Sequence, residues 1–288
     1  MQAGNAIYET IADLPPVLPV FPLAGALLLP RTQLPLNIFE QRYIDMVDAA
    51  LAGNRLIGMV QPSPDRHSDD PDNPALASVG CVGRLTSFQE TGDGRYLITL
   101  QGITRFAVGR ELEDYSRFRQ IECDFSAFAH DLKCGQGEEE VDRTSLLRTL
   151  RDYLDANNLE ADWQSVSEAE TEVLVNALCM MCPYGPQEKQ ALLEARDLKT
   201  RAETLIAITE MDIARSQNDG GVSGAYNYGY RRCNDGSVDD VGAPFFSTIM
   251  AYGCSGAARI GAFSNPEIAY NGAPIGIEID VAVEVLEF

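Results

Sequence analysis

Prolines spaced through an apolar run near the amino terminus constrain the fold of this chain more than any other sequence feature. The run extends from Pro19 to Leu36, and a proline interrupts it every few residues. Proline lacks an N–H group and cannot continue a helix, so this stretch predicts short, edge-like extended segments joined by bends. The same prolines argue against a membrane-spanning helix, which needs roughly 20 consecutive apolar residues.

The sequence changes its period directly after this run and predicts one amphipathic helix. Asn37 is placed to cap the helix, and Glu40 stands three residues later, as in a capping box. The apolar residues that recur at helical spacing are Phe39, Tyr43, Met46, Val47, Ala50 and Leu51. We expect this face to pack onto the strands, the helix to end at Gly53, and a further strand to follow.

Several spaced motifs, in one order, resemble the N-terminal domain of Lon proteases, the substrate-recognising module of those enzymes that also occurs as a stand-alone bacterial protein. The motifs include Phe21-Pro22-Leu23, residues 34–47, Gly80 to Leu85 and Gly102 to Phe106. The resemblance covers roughly residues 14 to 216. It implies an α+β chain with a PUA-like β-barrel or sheet domain, a small helical bundle, and polypeptide binding rather than catalysis.

The resemblance also suggests which residues serve polypeptide binding or the core. These signature residues are Phe21, Pro22, Leu23, Pro35, Leu36, Phe39, Glu40, Arg42, Tyr43, Gly102, Arg105 and Phe106. No catalytic residue, cofactor-binding residue or metal ligand is predicted, and no cofactor is expected.

Composition divides the chain into three parts. Residues 1–130 read as the β domain, in which Gly92-Asp93-Gly94 predicts the turn of a hairpin. Residues 138–216 carry leucines at helical spacing and predict the bundle, with one helix capped by Ser167 and Glu170. Residues 217–288 are rich in Gly, Asn and Tyr, and predict an irregular, poorly ordered extension.

Charge and cysteine content indicate the partners and the compartment. The net charge of −21 repels phosphate backbones and anionic membranes, so neither nucleic acid nor a membrane is expected as a partner. The chain starts without a signal-peptide pattern and has seven scattered cysteines, which together predict a cytoplasmic protein. Cys179 and Cys182 stand among apolar residues at helical spacing and predict buried thiols rather than a zinc site.

A short part of the extension resembles the carboxy-terminal end of metzincin-type zinc peptidases. The similarity lies in Thr248 to Tyr252, where Met250 and Tyr252 would be remnants of the methionine turn beneath the metal. That chemistry needs three histidines and a glutamate from one upstream motif, whereas the whole chain contains only His67 and His130. None of the three lysines follows a glycine, so no P-loop is predicted either.

Three functional interpretations follow from the sequence. The first is a binding module in protein quality control, whose sheet and helical domains meet in an apolar groove that accepts unfolded or extended polypeptides. A protease or a chaperone is its open candidate partner. The second is a degenerate or truncated metzincin-type peptidase fusion, and the third is an inert fusion product. The histidine count favours the first over the second, and the sequence does not choose between the first and the third.

Overall fold

The computed structural model describes residues 1–63, 73–112, 117–157 and 159–218, and four short strands in the remainder of the chain. Its strands are β1 (Gln2–Ala3), β2 (Ala6–Ile7), β3 (Val17–Pro22), β4 (Gln33–Ile38), β5 (Leu56–Pro62), β6 (Leu76–Glu90), β7 (Tyr96–Glu111), β8 (Gln120–Asp124), β9 (Leu159–Ala161), β10 (Met250–Tyr252), β11 (Ala269–Tyr270), β12 (Ala273–Pro274) and β13 (Val283–Val285). Its α-helices are α1 (Gln41–Ala52), α2 (Arg143–Asn157), α3 (Trp163–Glu168), α4 (Thr171–Met181), α5 (Pro186–Glu194) and α6 (Leu198–Asn218).

Five strands close into a β-barrel. In ring order they are β3, β5, β6, β7 and β8, and the pairing of β8 with β7 completes the ring. Strands β3 and β5 run parallel, and the other neighbours in the ring are antiparallel. The α+β class and the barrel expected from the sequence are confirmed.

Glycines make room for an aromatic ring in the barrel core. Phe106 on β7 is fully buried and packs edge to face against Phe125, with 6.0 Å between the ring centroids. A Cβ atom on Gly80 would lie 2.7 Å from the Phe106 ring, and one on Gly58 would lie 3.0 Å from it. The close packing of β5 and β6 on this ring therefore depends on both glycines.

Strands β6 and β7 form a hairpin that extends past the other barrel strands. They contain 15 and 16 residues, whereas β5 contains 7. In this extension β6 pairs with β7, and β7 pairs on its other side with β4, from Gln33 opposite Gln101 to Ile38 opposite Tyr96. We name residues 33–38, 85–90 and 96–101 the hairpin end. Its turn contains Gly92 and Gly94 with φ of 81° and 88°, a conformation that favours glycine.

Contacts divide the chain into two compact units. The first contains Met1–Gln136, Tyr184–Glu194 and Ile279–Val285, and the second contains Gly137–Pro183, Ala195–Glu278 and Leu286–Phe288. Helix α5 therefore belongs to the first unit, although the sequence prediction placed it with the helical bundle.

Polar contacts explain why α5 joins the first unit. Gln61 on β5 donates through Nε2 to the Pro186 carbonyl at 3.1 Å. The Lys189 ammonium donates to the Gly25 carbonyl at 2.8 Å. Because these partners lie far from α5 along the chain, their contribution could not be read from the local sequence pattern.

The second unit is a group of helices with an apolar interior. Its buried side chains include Leu150, Tyr153, Leu178 and Leu205. The predicted cap formed by Ser167 and Glu170 is wrong, because Asp162 caps α3 through the N–H groups of Gln164 and Ser165. Ser167 therefore lies inside α3, and a new helix, α4, begins at Thr171.

The described parts of the carboxy-terminal extension are short strands. Strand β13 pairs antiparallel with β4, β10 pairs antiparallel with β9, and β11 pairs with β12. The other predictions for residues 217–288 lie outside the described residues. Among the helices of the described residues, none is long and apolar enough to cross a membrane.

Candidate polypeptide-binding surface

All of the predicted signature residues except Phe39 are buried or half-buried. The buried ones are Phe21, Leu23, Pro35, Leu36, Tyr43, Gly102, Arg105 and Phe106, whereas Pro22, Glu40 and Arg42 are half-buried. The rings of Phe21 and Tyr43 pack with 4.2 Å between their centroids, which fastens the first turn of α1 to β3. Tyr43 therefore occupies the buried helix face that its spacing predicted.

Gly102 allows a loop to lie directly against β7. Its N–H donates to the Thr32 carbonyl at 2.8 Å, and its carbonyl accepts from the Arg31 N–H at 2.8 Å. A Cβ atom at this position would lie 2.0 Å from the Leu29 carbonyl oxygen. Any side chain here would push the loop away from the strand, so the role of Gly102 is structural.

Arg105 is a buried charge that ties three segments together. Its side chain is 1% exposed, and Nε and Nη2 donate to the two carboxylate oxygens of Asp131, each at 2.8 Å. Nη1 donates to the Leu193 carbonyl in α5 at 3.0 Å, and the guanidinium lies over the Phe128 ring at 4.6 Å. This geometry places Arg105 in the core of the first unit.

Phe39 is the signature aromatic that lies at the surface, with 40% of its area exposed. Strand β4 continues to Ile38 and takes Asn37 into the sheet, so α1 begins at Gln41 with Glu40 as its N-cap. The prediction that Asn37 caps the helix and that Phe39 lies on its buried face is therefore wrong. Pairing with β7 decides the local structure here, and the capping pattern does not.

Phe39 lies beside the guanidinium of Arg95, next to an aromatic pair on β6 and β7. Because Ile38 pairs with Tyr96, Phe39 comes opposite Arg95, whose guanidinium lies 5.5 Å from the Phe39 ring centroid. Phe88 on β6 packs edge to face against Tyr96 at 4.8 Å. We name the following residues the hairpin-end surface: Phe39, Glu40, Arg42, Phe88, Arg95 and Tyr96.

Charges of both signs border the aromatic rings of this surface. Arg42 donates through Nε to the Glu40 carboxylate at 2.5 Å, and its guanidinium lies 4.7 Å from the Tyr43 ring centroid. Burial raises the pKa of Tyr96, and its hydrogen bond to Asp48 raises the pKa further, so the phenol stays neutral at physiological pH. Such a surface offers aromatic faces to apolar side chains and polar groups to a peptide backbone.

The site residues predicted from the sequence did not include Phe88, Arg95, Tyr96 or Asp131. The first three flank the predicted hairpin turn, and the two aromatics on opposite strands were the signal that could have located this surface. Asp131 gave no such signal, because it is one of 43 acidic residues and lies 26 positions from Arg105.

Within the described ranges, no three His, Cys, Asp or Glu residues lie together as a ligand set. Cys179 and Cys182 are buried, and burial raises the pKa of Cys179 to about 12, which favours a protonated thiol over a metal-binding thiolate. Met250 and Tyr252 lie in β10, opposite Ala161 and Leu159 of β9.

The groove expected where sheet and helices meet stays a prediction.

Comparison with known proteins identifies one family over most of the chain. The family described as the ATP-dependent protease La (LON) substrate-binding domain matches residues 17–210. Lon protease from Dictyoglomus thermophilum is 27% identical over 221 residues, covering 72% of this chain and 26% of that protein. Lon protease 2 from Sorangium cellulosum is 29% identical over 213 residues, covering 70% and 26%. The chain thus spans about a quarter of the length of the curated relatives it matches.

A solved structure has the same fold. The N-terminal domain of Lon protease from the Mycobacterium avium complex is similar with a TM-score of 0.51 at 16% identity, covering 67% of this chain and 98% of that one. At this identity the likeness concerns the fold alone. The family resemblance read from the sequence is confirmed, and its matched residues include every residue of the hairpin-end surface.

Proposed function

This chain belongs to the Lon substrate-binding domain family, and we propose that it binds unfolded or extended polypeptides through the hairpin-end surface. The observation that carries the proposal is the exposure of Phe39. Other aromatic signature residues, Phe21, Tyr43 and Phe106, are buried in the barrel or beneath α1, whereas Phe39 lies 40% exposed beside Arg95. Aromatic residues, phenylalanine among them, and arginine are enriched in protein interfaces relative to the rest of the surface.

The chemistry of the surface fits a polypeptide ligand. Its rings can contact apolar side chains that a folded protein would hide. Arg42 and Glu40 bond to each other, and Arg95 lies over Phe39, so the surface carries no concentrated charge of one sign. Together with the net charge of −21, this argues for unfolded polypeptide and against nucleic acid.

The proposed role is non-catalytic and belongs to protein quality control. The recognised domain is the substrate-binding part of its family, and the similar proteins are Lon proteases of which this chain spans about a quarter. We infer that a partner protease or chaperone receives the bound polypeptide. Incubation with casein, with and without added zinc, tests whether the role is non-catalytic. We expect no cleavage by the chain itself.

Binding is tested with the full-length chain and a fluorescent, reduced and carboxymethylated α-lactalbumin, which stays unfolded. We expect Phe39→Ala to weaken binding about 10-fold, because loss of an interface aromatic costs more than about 1 kcal/mol. Ile7→Ala is the matched control, since Ile7 is also a large exposed side chain of the first unit. Unchanged affinity of Phe39→Ala, with native circular dichroism, would reject the proposed surface.

A further inference from the structure

We propose that the outer edge of β4, the side away from β7, binds an extended polypeptide by antiparallel strand addition, and that residues 283–285 of the same chain compete for it. The proposal rests on the polypeptide-binding function proposed above and specifies how the backbone of the ligand is held. Its basis is the pairing of β13 with β4, in which Val283 lies opposite Ile38, Glu284 opposite Asn37 and Val285 opposite Leu36.

The position of β4 in the sheet makes strand addition possible. On its inner side β4 pairs with β7 along all six of its residues, Gln33 to Ile38. On its outer side the pairing with β13 involves Leu36 to Ile38 and begins directly after Pro35. Proline has no N–H and is tolerated at sheet edges, so it suits an edge strand that must not pair along its whole length.

The same edge leads to the hairpin-end surface. Pairing on the outer side ends at Ile38, and the next residue is the exposed Phe39. An antiparallel strand that continues past Ile38 towards its own amino terminus would therefore reach Phe39 and, opposite it, Arg95. Backbone bonds to β4 and side-chain contacts with Phe39 would then act on one and the same extended ligand.

The sequence of the competing segment indicates which ligands fit. Residues 281–286 read Val-Ala-Val-Glu-Val-Leu, with β-branched valines at every second position. Such alternation is typical of strands, and main-chain bonds in strand addition tolerate many sequences. We therefore expect the edge to accept extended segments with β-branched or apolar residues at alternate positions, such as those that unfolding exposes.

Occupation by the chain itself would lower the apparent affinity for other polypeptides. If β13 covers the edge for most of the time, the apparent dissociation constant rises by the inverse of the uncovered fraction. Preventing the pairing should then increase binding without adding any new contact. This makes the extension a regulator of the proposed surface.

The test uses the full chain with two prolines in the competing strand, Ala282→Pro and Glu284→Pro together. Because the Gly102 N–H donates to the Thr32 carbonyl, strand alternation directs the N–H groups of Leu36 and Ile38 to β7 and that of Asn37 to the outer edge, opposite Glu284. Proline at position 284 removes the N–H that donates to Asn37.

Ser237→Pro, elsewhere in the extension, is the matched control. Amide hydrogen exchange of Asn37 reports the pairing, and binding of carboxymethylated α-lactalbumin reports the function. In the double variant we expect the exchange rate of the Asn37 amide and the affinity for α-lactalbumin each to rise about 10-fold.

A synthetic peptide of residues 279–288 completes the experiment. Added to the double variant, it should restore slow exchange at Asn37 and displace α-lactalbumin. Unchanged exchange in the double variant would overturn the proposal even if α-lactalbumin binds as the proposed function requires. Faster exchange with unchanged affinity would overturn the competition. Wild-type protection that depends on protein concentration would assign the strand to a second copy and overturn the intramolecular form.

The outcomes also separate this proposal from the one on which it rests. If neither the wild-type chain nor the double variant binds α-lactalbumin while the peptide still protects Asn37, the proposed function fails and strand addition at β4 stands. If the wild-type chain and the double variant bind α-lactalbumin equally and the peptide slows no amide exchange in β4, strand addition fails and the proposed function stands.

Discussion

The barrel interior and the hairpin end contain residues of the same family signature and use them in opposite ways. In the interior, Arg105 and Phe106 are almost completely buried, and each makes contacts that leave no room for a ligand. On the hairpin-end surface, Phe39 keeps 40% of its area exposed and lies against Arg95. The signature residues therefore occupy two different environments, the packed barrel interior and the surface to which we assign polypeptide binding.

The largest effect is expected from breaking the buried ion pair in the interior. Asp131→Ala leaves the Arg105 guanidinium buried without its carboxylate, and loss of one partner of such a pair costs about 3 to 5 kcal/mol. Chemical denaturation measures the change in the free energy of unfolding. Glu122→Ala is the control, because it breaks an exposed ion pair with Arg110 and should cost less than about 1 kcal/mol. Equal effects would show that the interior network is not what holds the barrel.

Two phenylalanines of the signature provide a second test. Phe21→Ala should destabilise the chain by about 3 to 5 kcal/mol, because it leaves a cavity beneath Tyr43. Phe39→Ala should cost less than about 1 kcal/mol, since its ring is already partly in water. Thermal or chemical unfolding of both variants measures these two losses of stability. A large loss of unfolding free energy in Phe39→Ala would show that Phe39 is a core residue, as its helical spacing had predicted.

The smallest effect concerns the turn of the hairpin. The Thr91 hydroxyl and the Arg95 N–H donate to the Asp93 carboxylate and hold its pKa below the ordinary value of 3.8. A lowered carboxyl pKa contributes stability above the unfolded value, and this contribution is lost as the pH falls through the folded value. We expect the turn to loosen below about pH 3.8, seen as broadened Gly92 and Gly94 amide signals in NMR spectra. The spectrum of Asp93→Asn should show no such pH-dependent change.

The sequence predicted the class of fold and failed where long-range pairing decides. Tyr43 and Met46 were placed correctly because helical spacing alone determines which face of α1 is apolar. Phe39 shares that spacing, but pairing with β7 extends β4 to Ile38, so the helix begins only at Gln41. A capping pattern is worth about 1 kcal/mol, which a row of strand pairs outweighs.

The proposed binding surface was only partly predictable for the same reason. Phe39, Glu40 and Arg42 belong to one continuous motif, and the family resemblance singled them out. Phe88 and Arg95 join them only through the register of three strands. Helix α5 shows the same limit, since the partners of Pro186 and Lys189 lie more than a hundred residues away.

The most direct test of the central claim is hydrogen exchange of the full chain, with and without saturating carboxymethylated α-lactalbumin. The account predicts that ligand slows exchange in residues 36–43 and 88–97, while the barrel amides around Arg105 and Phe106 change little. Slower exchange confined to residues outside these two ranges, or no change at saturation, would contradict the claim that this surface binds polypeptides.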